Sequence, residues 1–179
     1  MIYDNEACRI TLPNGPQHGL YEHLRDLGIS VEGGEDGEFA NDPIAAQAVI
    51  DAWTPEQSLA WAKQTAAQAI SAHAKALRDA VVSTVSPGEM ASWPIKRAEA
   101  VAYSQSGKAA DAPMLSAEAQ ARGITLVELL GKVSENTVRF ATLEVQIAGA
   151  DGKHRDAIAA LTTADAVVAY AWHTGWPEV

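Results

Sequence analysis

Residues 54–85 read TPEQSLAWAKQTAAQAISAHAKALRDAVVSTV and decide the fold of this chain. Thr54 is placed to cap a helix, Pro55 takes the first helical position, and Gln57 lies three residues after the cap, as in a capping box. Most of the side chains that follow are good helix formers, and neither glycine nor a second proline interrupts them. The stretch predicts one long helix from Pro55 to about Val85.

Alanine is frequent in this predicted helix. Its small side chain favours the helical backbone and lets a second helix approach closely, but it buries little apolar surface. Two interpretations are open. The helix packs against a tight antiparallel neighbour of the same chain, or its alanine face joins another subunit in a homo-oligomer or another protein.

Further helices are predicted by the same kind of signal. Ser86 and Thr125 are N-caps, each with a glutamate three residues later, and Gly107 and Gly123 are placed as left-handed C-caps. The predicted ranges are 87–106, 111–123, 126–148 and 153–171.

Three interruptions are expected within this helical region. Pro94 removes a backbone hydrogen bond, so we expect a kink or a break there. The stretch from Gly149 to Gly152 is interpreted as a polar hairpin that ends one helix before the next begins. Thr162 and Thr163 are a further point at which the last helix is open to interruption. Before the predicted hairpin, five apolar residues follow a spacing near seven, which favours helix-mediated association: Leu126, Leu129, Val133, Phe140 and Ile147.

The first 53 residues change element type quickly. Strands are predicted at Arg9–Leu12, Ile29–Val31 and Glu38–Ala40, the last two as a hairpin. A short helix is predicted from Pro16 to Leu27, and Asp42 caps another that begins at Pro43. The predicted fold class is therefore mainly α, with a small N-terminal α+β head at residues 1–53 and a helical hairpin or bundle at residues 54–179 that ends in a Trp-Pro tail. We expect the part from Thr54 onward to fold without the head.

Charge separates the same two parts. Residues 1–53 have a net charge of −8 and residues 54–179 of −2, which gives the chain its −10. This excess of acid repels phosphate backbones, so nucleic acid is not an expected partner. No apolar run approaches the ~20 residues of a membrane span, and the N-terminus has no export signal, so we expect no membrane partner. Cys8 is the only cysteine and permits no intrachain disulfide.

The sequence contains no complete motif for a metal site, a phosphate-binding loop or a catalytic centre. His18 and His23 are five residues apart with Glu22 between them, whereas two histidines on one helical face need a spacing of four, so no metal site is predicted. Gly33, Gly34 and Gly37 stand among acidic residues that would repel a phosphate group. No motif joins a nucleophile, a base and an orienting group. We expect no catalytic residues, no cofactor and no enzymatic activity.

Large aromatic side chains are the strongest candidates for partner binding. Four of the five tryptophans are at or near the end of a predicted element, where they serve either as core residues or as anchors for a partner. The candidates for partner binding are Trp61, Trp93, Phe140, Trp172 and Trp176.

Four stretches resemble a known class of proteins: EMASWPIKRAEA at 89–100, APML at 112–115, ARGIT at 121–125 and YAWHTGWP at 170–177. Residues 50–177 are similar to the helical C-terminal region of small tail proteins of tailed bacteriophages, which occur with tail-fibre and baseplate genes. The ending in Trp-Pro is also similar to tail-fibre assembly chaperones. The resemblance implies no catalytic residues.

This resemblance implies a non-enzymatic structural or adaptor component of the tail, baseplate or tail fibre that binds other tail subunits through its helices. It would be made in the host cytoplasm and end in the virion tail. The alternative is a tail-fibre assembly chaperone, which binds the fibre and then leaves. A small hydrolase is the remote alternative, and nothing in the sequence supplies its catalytic groups.

Overall fold

The computed structural model describes residues 6–13, 17–34 and 37–179, and within them it is mainly α-helical with a small sheet near the N-terminus. This confirms the predicted fold class. The strands are β1 (Arg9–Ile10), β2 (Val31–Gly34) and β3 (Gly37–Ala40). The helices are α1 (Leu20–Asp26), α2 (Pro43–Ala52), α3 (Pro55–Val81), α4 (Pro87–Ser106), α5 (Pro113–Arg122), α6 (Leu126–Ala160) and α7 (Ala164–Val168). None of these helices has the length and apolar character needed to cross a bilayer.

The helix starts follow the predicted capping pattern. The side-chain oxygens of Thr54, Ser86 and Thr125 each accept a hydrogen bond from the backbone N–H three residues later, at 3.3, 3.1 and 3.2 Å. Gln57 and Glu128 return a side-chain bond to the N–H of their own cap residue, at 2.8 Å in both cases. Because all these bonds are local, the sequence was sufficient to predict them.

The head forms the predicted small α+β structure. β3 lies between β1 and β2 and pairs antiparallel with both, with Val31 opposite Ala40. Gly28 follows α1 with φ +79°, as its predicted left-handed cap requires. The apolar faces of α1 and α2 cover the sheet, and the buried cluster comprises Ile10, Leu20, Leu24, Ile29, Ala40, Ala46 and Ile50. Pro16, where the first helix was predicted to begin, lies outside the described residues, as does part of the predicted turn at 33–37.

By its contacts the chain divides into two compact units. The first unit comprises Met1–Ser71 and Gly152–Thr174, and the second comprises Ala72–Asp151 and Gly175–Val179. Within the first unit, Lys63 donates to the carbonyl of Ala159 at 2.7 Å, and Arg155 donates to Ser71 Oγ at 2.6 Å. The predicted boundary at Thr54 concerns which part of the chain folds alone, and it stays a prediction.

The predicted hairpin at Gly149–Gly152 is wrong, because α6 runs unbroken from Leu126 to Ala160. Each glycine weakens a helix by about 1 kcal/mol relative to alanine. On the inward face, however, Ile147, Ala150, His154 and Ile158 are all buried, and this packing holds the helix through both glycines. Residues 153–171 are mainly helical, as predicted, but 153–160 belong to α6 and only Ala164–Val168 form a separate helix.

The remaining predicted bounds change in detail. α3 ends at Val81, four residues before the predicted end, and a turn follows. The break expected at Pro94 is absent, because α4 continues through this residue, which lies exposed; a kink there stays a prediction. The interruption considered at Thr162–Thr163 is present, since α6 ends before it and Thr163 caps α7 through a bond to the N–H of Ala166 at 3.3 Å.

The alanine-rich face of α3 is used within the chain. Ala62, Ala66, Ile70 and Ala74 recur at helical spacing and are all less than 9% exposed. This part of the face is therefore buried within the molecule, whereas a tight antiparallel helix as its neighbour stays a prediction. Association through the exposed alanines, and a homo-oligomer, remain predictions.

Candidate functional site

The second unit has its own apolar core, which supports the candidate site. Leu115 and Ala119 of α5 pack with Leu129 of α6, and Tyr103 of α4 lies against them. α5 begins at Pro113 without a side-chain cap from its own N-cap residue. Glu99 of α4 replaces that cap, because its two carboxylate oxygens accept hydrogen bonds from the N–H groups of Met114 and Leu115 at 3.1 and 2.9 Å. The three helices are thereby joined by polar and apolar contacts.

A groove of about 910 Å³ opens between these helices. Its α4 wall extends from Glu89 to Val101 and its α6 wall from Leu129 to Ala141, with Glu118 and Arg122 of α5 at its side. Each wall spans roughly 18 Å at 1.5 Å per residue. Apolar side chains provide most of the lining: Met90, Trp93, Pro94, Ala98, Val101, Leu129, Val133, Phe140 and Ala141.

Trp93 and Phe140 meet in this groove. Their ring centroids are 4.8 Å apart and the ring planes are inclined by 32°. Both side chains are half-buried, and the guanidinium carbon of Arg139 lies 5.5 Å from the centre of the Phe140 ring. Two aromatic residues predicted separately as partner anchors thus form one surface, of the kind that supplies binding hot spots.

A buried lysine forms the polar side of the groove. Lys96 is only 8% exposed, and its Nζ lies 2.8 Å from both Glu89 Oε1 and Glu118 Oε2. Arg122 donates to the other oxygen of Glu118 at 3.0 Å. Burial alone would lower the pKa of Lys96, but its hydrogen bonds with Glu118 and Glu89 outweigh burial and raise the pKa above its ordinary value. The Lys96 bond, supported by Arg122, lowers the pKa of Glu118 despite its partial burial.

This arrangement predicts an acid-sensitive contribution to stability. The pKa of Glu118 is lower in the folded than in the unfolded chain, so its contribution is present above the ordinary value of 4.5 and is lost as the pH falls through the folded value. Glu118→Gln should lower the free energy of unfolding by about 1–2 kcal/mol at pH 7, because the hydrogen bonds it removes join charged groups. Between pH 5 and pH 3 the wild type should approach the variant, as measured by urea unfolding.

Glu135→Gln is the matched control for this experiment. Glu135 is an exposed carboxylate of α6 that forms no salt bridge with any described residue. Its variant should unfold with nearly the wild-type pH profile. A constant difference between wild type and Glu118→Gln from pH 7 to pH 3 would contradict the assigned role of the Glu118 carboxylate.

The other predicted anchors lie elsewhere. Trp61 is in the first unit and packs against Gly19, whose backbone approaches the indole closely. Trp172 is half-buried in the same unit, with its ring centroid 6.0 Å from that of His173. Trp176 belongs to the second unit and makes an edge contact with His73 at 4.9 Å. Of the predicted anchors, Trp93 and Phe140 are the two that line the groove.

The first unit holds a smaller recess and a buried histidine. The recess, of about 460 Å³, is lined by Trp61, Tyr21 and His18, and His18 Nε2 lies 2.7 Å from Asp165 Oδ1. His154 is 4% exposed and lies 2.9 Å from the Tyr170 hydroxyl and 3.0 Å from the carbonyl of Thr174. Because a carbonyl can only accept, His154 Nε2 donates to the carbonyl of Thr174. These bonds fix the C-terminal segment to α6.

Sequence reasoning missed Lys96, Glu118 and Glu99. Glu89 was expected to complete a capping box with Ser86, but its carboxylate instead binds Lys96, which lies two helical turns further along. That spacing places the Glu89 and Lys96 side chains on one face of the helix, and it was the only feature of the sequence that could have predicted their pairing. Among the described residues, no group of three or more histidine, cysteine, aspartate or glutamate side chains is arranged to hold a metal ion.

Comparisons of the chain with protein-family models, with curated proteins and with solved structures gave no match.

Proposed function

We propose that this chain is a non-enzymatic protein that binds another protein in the groove between α4, α5 and α6. The observation that carries the proposal is the Trp93–Phe140 pair, half-buried within an apolar groove of about 910 Å³. Half-buried aromatic residues above a supporting core contribute most of the energy at many protein interfaces. Apolar grooves between helices are also a common site for peptide recognition.

The resemblance to small tail proteins supports a proposal about the assembly in which this binding takes place. In that setting the chain is a structural or adaptor component of a bacteriophage tail, baseplate or tail fibre, and the groove receives another tail subunit. Three of the four stretches that carry the resemblance, 89–100, 112–115 and 121–125, contribute residues to the helices that form the groove or its core. The alternative is an assembly chaperone, whose Trp-Pro ending the chain shares.

Phe140→Ala should reduce copurification of tail or fibre proteins with the tagged chain from phage-producing cells by about 30-fold, because truncation of an anchor weakens binding by about 2 kcal/mol. Val145→Ala is the control, since Val145 lies on the same helix, is 72% exposed and is outside the groove. Mass spectrometry of both the eluates and purified virions is the measurement.

A tail component should be found in the virions, whereas a chaperone should be absent from them but still copurify with a fibre protein. Equal recovery of the same partner by Phe140→Ala and Val145→Ala would contradict the proposed site. Absence from virions together with no tail or fibre partner would contradict the proposed setting.

A further inference from the structure

The groove has the opposite charge to the chain as a whole. Its lining contains four basic side chains, Lys96, Arg97, Arg122 and Lys132, and two acidic ones, Glu89 and Glu118. The chain carries a net charge of −10. A surplus of basic groups around an apolar surface in an acidic protein favours an acidic partner there and disfavours a basic one.

Two of the basic side chains are placed to contact an occupant. Lys96 is neutralised by Glu89 and Glu118, and Arg122 is also held by Glu118. Arg97 of α4 and Lys132 of α6 are exposed, one on each wall, and neither forms a salt bridge with another described residue, although Lys132 lies near enough to Glu128 to help lower its pKa. Both charges therefore face solvent beside the apolar lining.

The length of the groove fits a helix. Walls of roughly 18 Å accommodate about three helical turns, which place apolar side chains at i, i+3 or i+4, and i+7 along one face. An extended segment of the same length would offer about five residues, with every second side chain turned away from the lining. A helix thus makes more use of the apolar groove than a strand does.

We propose that the groove binds an acidic amphipathic helix of a partner protein. This rests on the proposed function and specifies its partner. The apolar face of that helix packs on Trp93 and Phe140, and its flanking carboxylates pair with Arg97 and Lys132. The central contact provides affinity, and the charged rim provides selection between acidic and basic helices.

The test uses three fluorescein-labelled helical peptides of about 14 residues, long enough to span the groove. They share leucine and tryptophan anchors on one face, and their remaining positions are glutamate, glutamine or lysine. Fluorescence anisotropy with the full chain should give the lowest Kd for the glutamate peptide, and that Kd should rise with salt. The double variant Arg97→Glu with Lys132→Glu should raise the Kd of the glutamate peptide by about tenfold or more.

Lys108→Glu is the control for charge reversal, because Lys108 is exposed in the same unit but does not line the groove. It should bind the glutamate peptide as the wild type does. Binding of the lysine peptide at least as tightly as the glutamate peptide, with both lost in Trp93→Ala, would overturn the acidic partner and leave groove binding intact. Absence of binding by all three peptides, or binding that Trp93→Ala does not change, would overturn both.

Two other occupants of the groove, a nucleic acid and a second copy of the chain, are tested by competition and by sedimentation velocity. A single-stranded oligonucleotide of equal charge that competes as well as the unlabelled glutamate peptide would overturn recognition of an acidic helix. So would sedimentation velocity that finds a dimer in the wild type and a monomer in Trp93→Ala, because a second copy of the chain would then occupy the groove. A monomeric wild type whose glutamate peptide is not displaced by the oligonucleotide supports the proposal.

Discussion

Replacing Gly19 with alanine is expected to lower the free energy of unfolding by about 2–5 kcal/mol, the sum of two effects. Gly19 has φ +84°, a conformation that a residue with a Cβ adopts at a cost of about 1–2 kcal/mol. A Cβ at this position would also lie 2.2 Å from Cγ of Trp61 and 2.6 Å from two further indole atoms. Relief of such an overlap typically costs another 1–3 kcal/mol.

Gly28→Ala is the matched control for Gly19→Ala. Gly28 has a similar φ of +79°, but a Cβ there would meet no atom within 4 Å. Its variant should lose only about 1–2 kcal/mol, from backbone strain alone. Urea unfolding of both variants measures the difference, and equal losses would contradict the close packing of Gly19 against Trp61.

Trp93→Ala is expected to weaken partner binding by about 2 kcal/mol, roughly 30-fold in Kd. The side chain is half-buried and its main aromatic contact is Phe140, so its loss should lower folding stability by only about 1–2 kcal/mol. Leu115 and Leu129, which form the core beneath the groove, remain in place. The variant should therefore fold and fail to bind.

Trp61→Ala is expected to keep the binding that Trp93→Ala loses. Trp61 is half-buried, as Trp93 is, and packs against Gly19 in the first unit, so its loss should also lower folding stability by about 1–2 kcal/mol. It does not line the groove. The melting temperature should fall, and the Kd for the groove ligand should stay at the wild-type value.

Helix starts and helix ends could be predicted because their bonds are local. Thr54, Ser86 and Thr125 bond to groups three residues away, and Gly107 and Gly123 adopt positive φ within their own turns. Such interactions are formed within a few residues and depend little on the rest of the fold.

The continuity of α6 could not be predicted, because it depends on tertiary packing. Gly149 and Gly152 disfavour a helix locally, and only the burial of Ile147 and Ile158 on either side of them reverses that preference. A local pattern predicts the intrinsic tendency of a segment. It carries no information about which neighbours will bury its apolar face.

The candidate site could be predicted in its parts and not as a whole. Trp93 and Phe140 were each predicted from the sequence as a candidate partner anchor. Their contact, however, joins α4 to α6 across 47 positions of sequence. The pairing of Lys96 with Glu118 joins α4 to α5 and likewise follows from the packing of helices. The basic surplus of the groove lining could not be predicted either, because it depends on which side chains the packing of α4, α5 and α6 brings together.

The most direct test of the groove as the binding site is a parallel titration of Trp93→Ala and Trp61→Ala with the glutamate peptide, together with the melting temperature of each variant. We expect Trp93→Ala to lose about 30-fold in affinity and remain folded, and Trp61→Ala to bind like the wild type and melt at a lower temperature. Wild-type affinity in folded Trp93→Ala, or an equal loss of affinity in folded Trp61→Ala, would contradict the groove as the binding site.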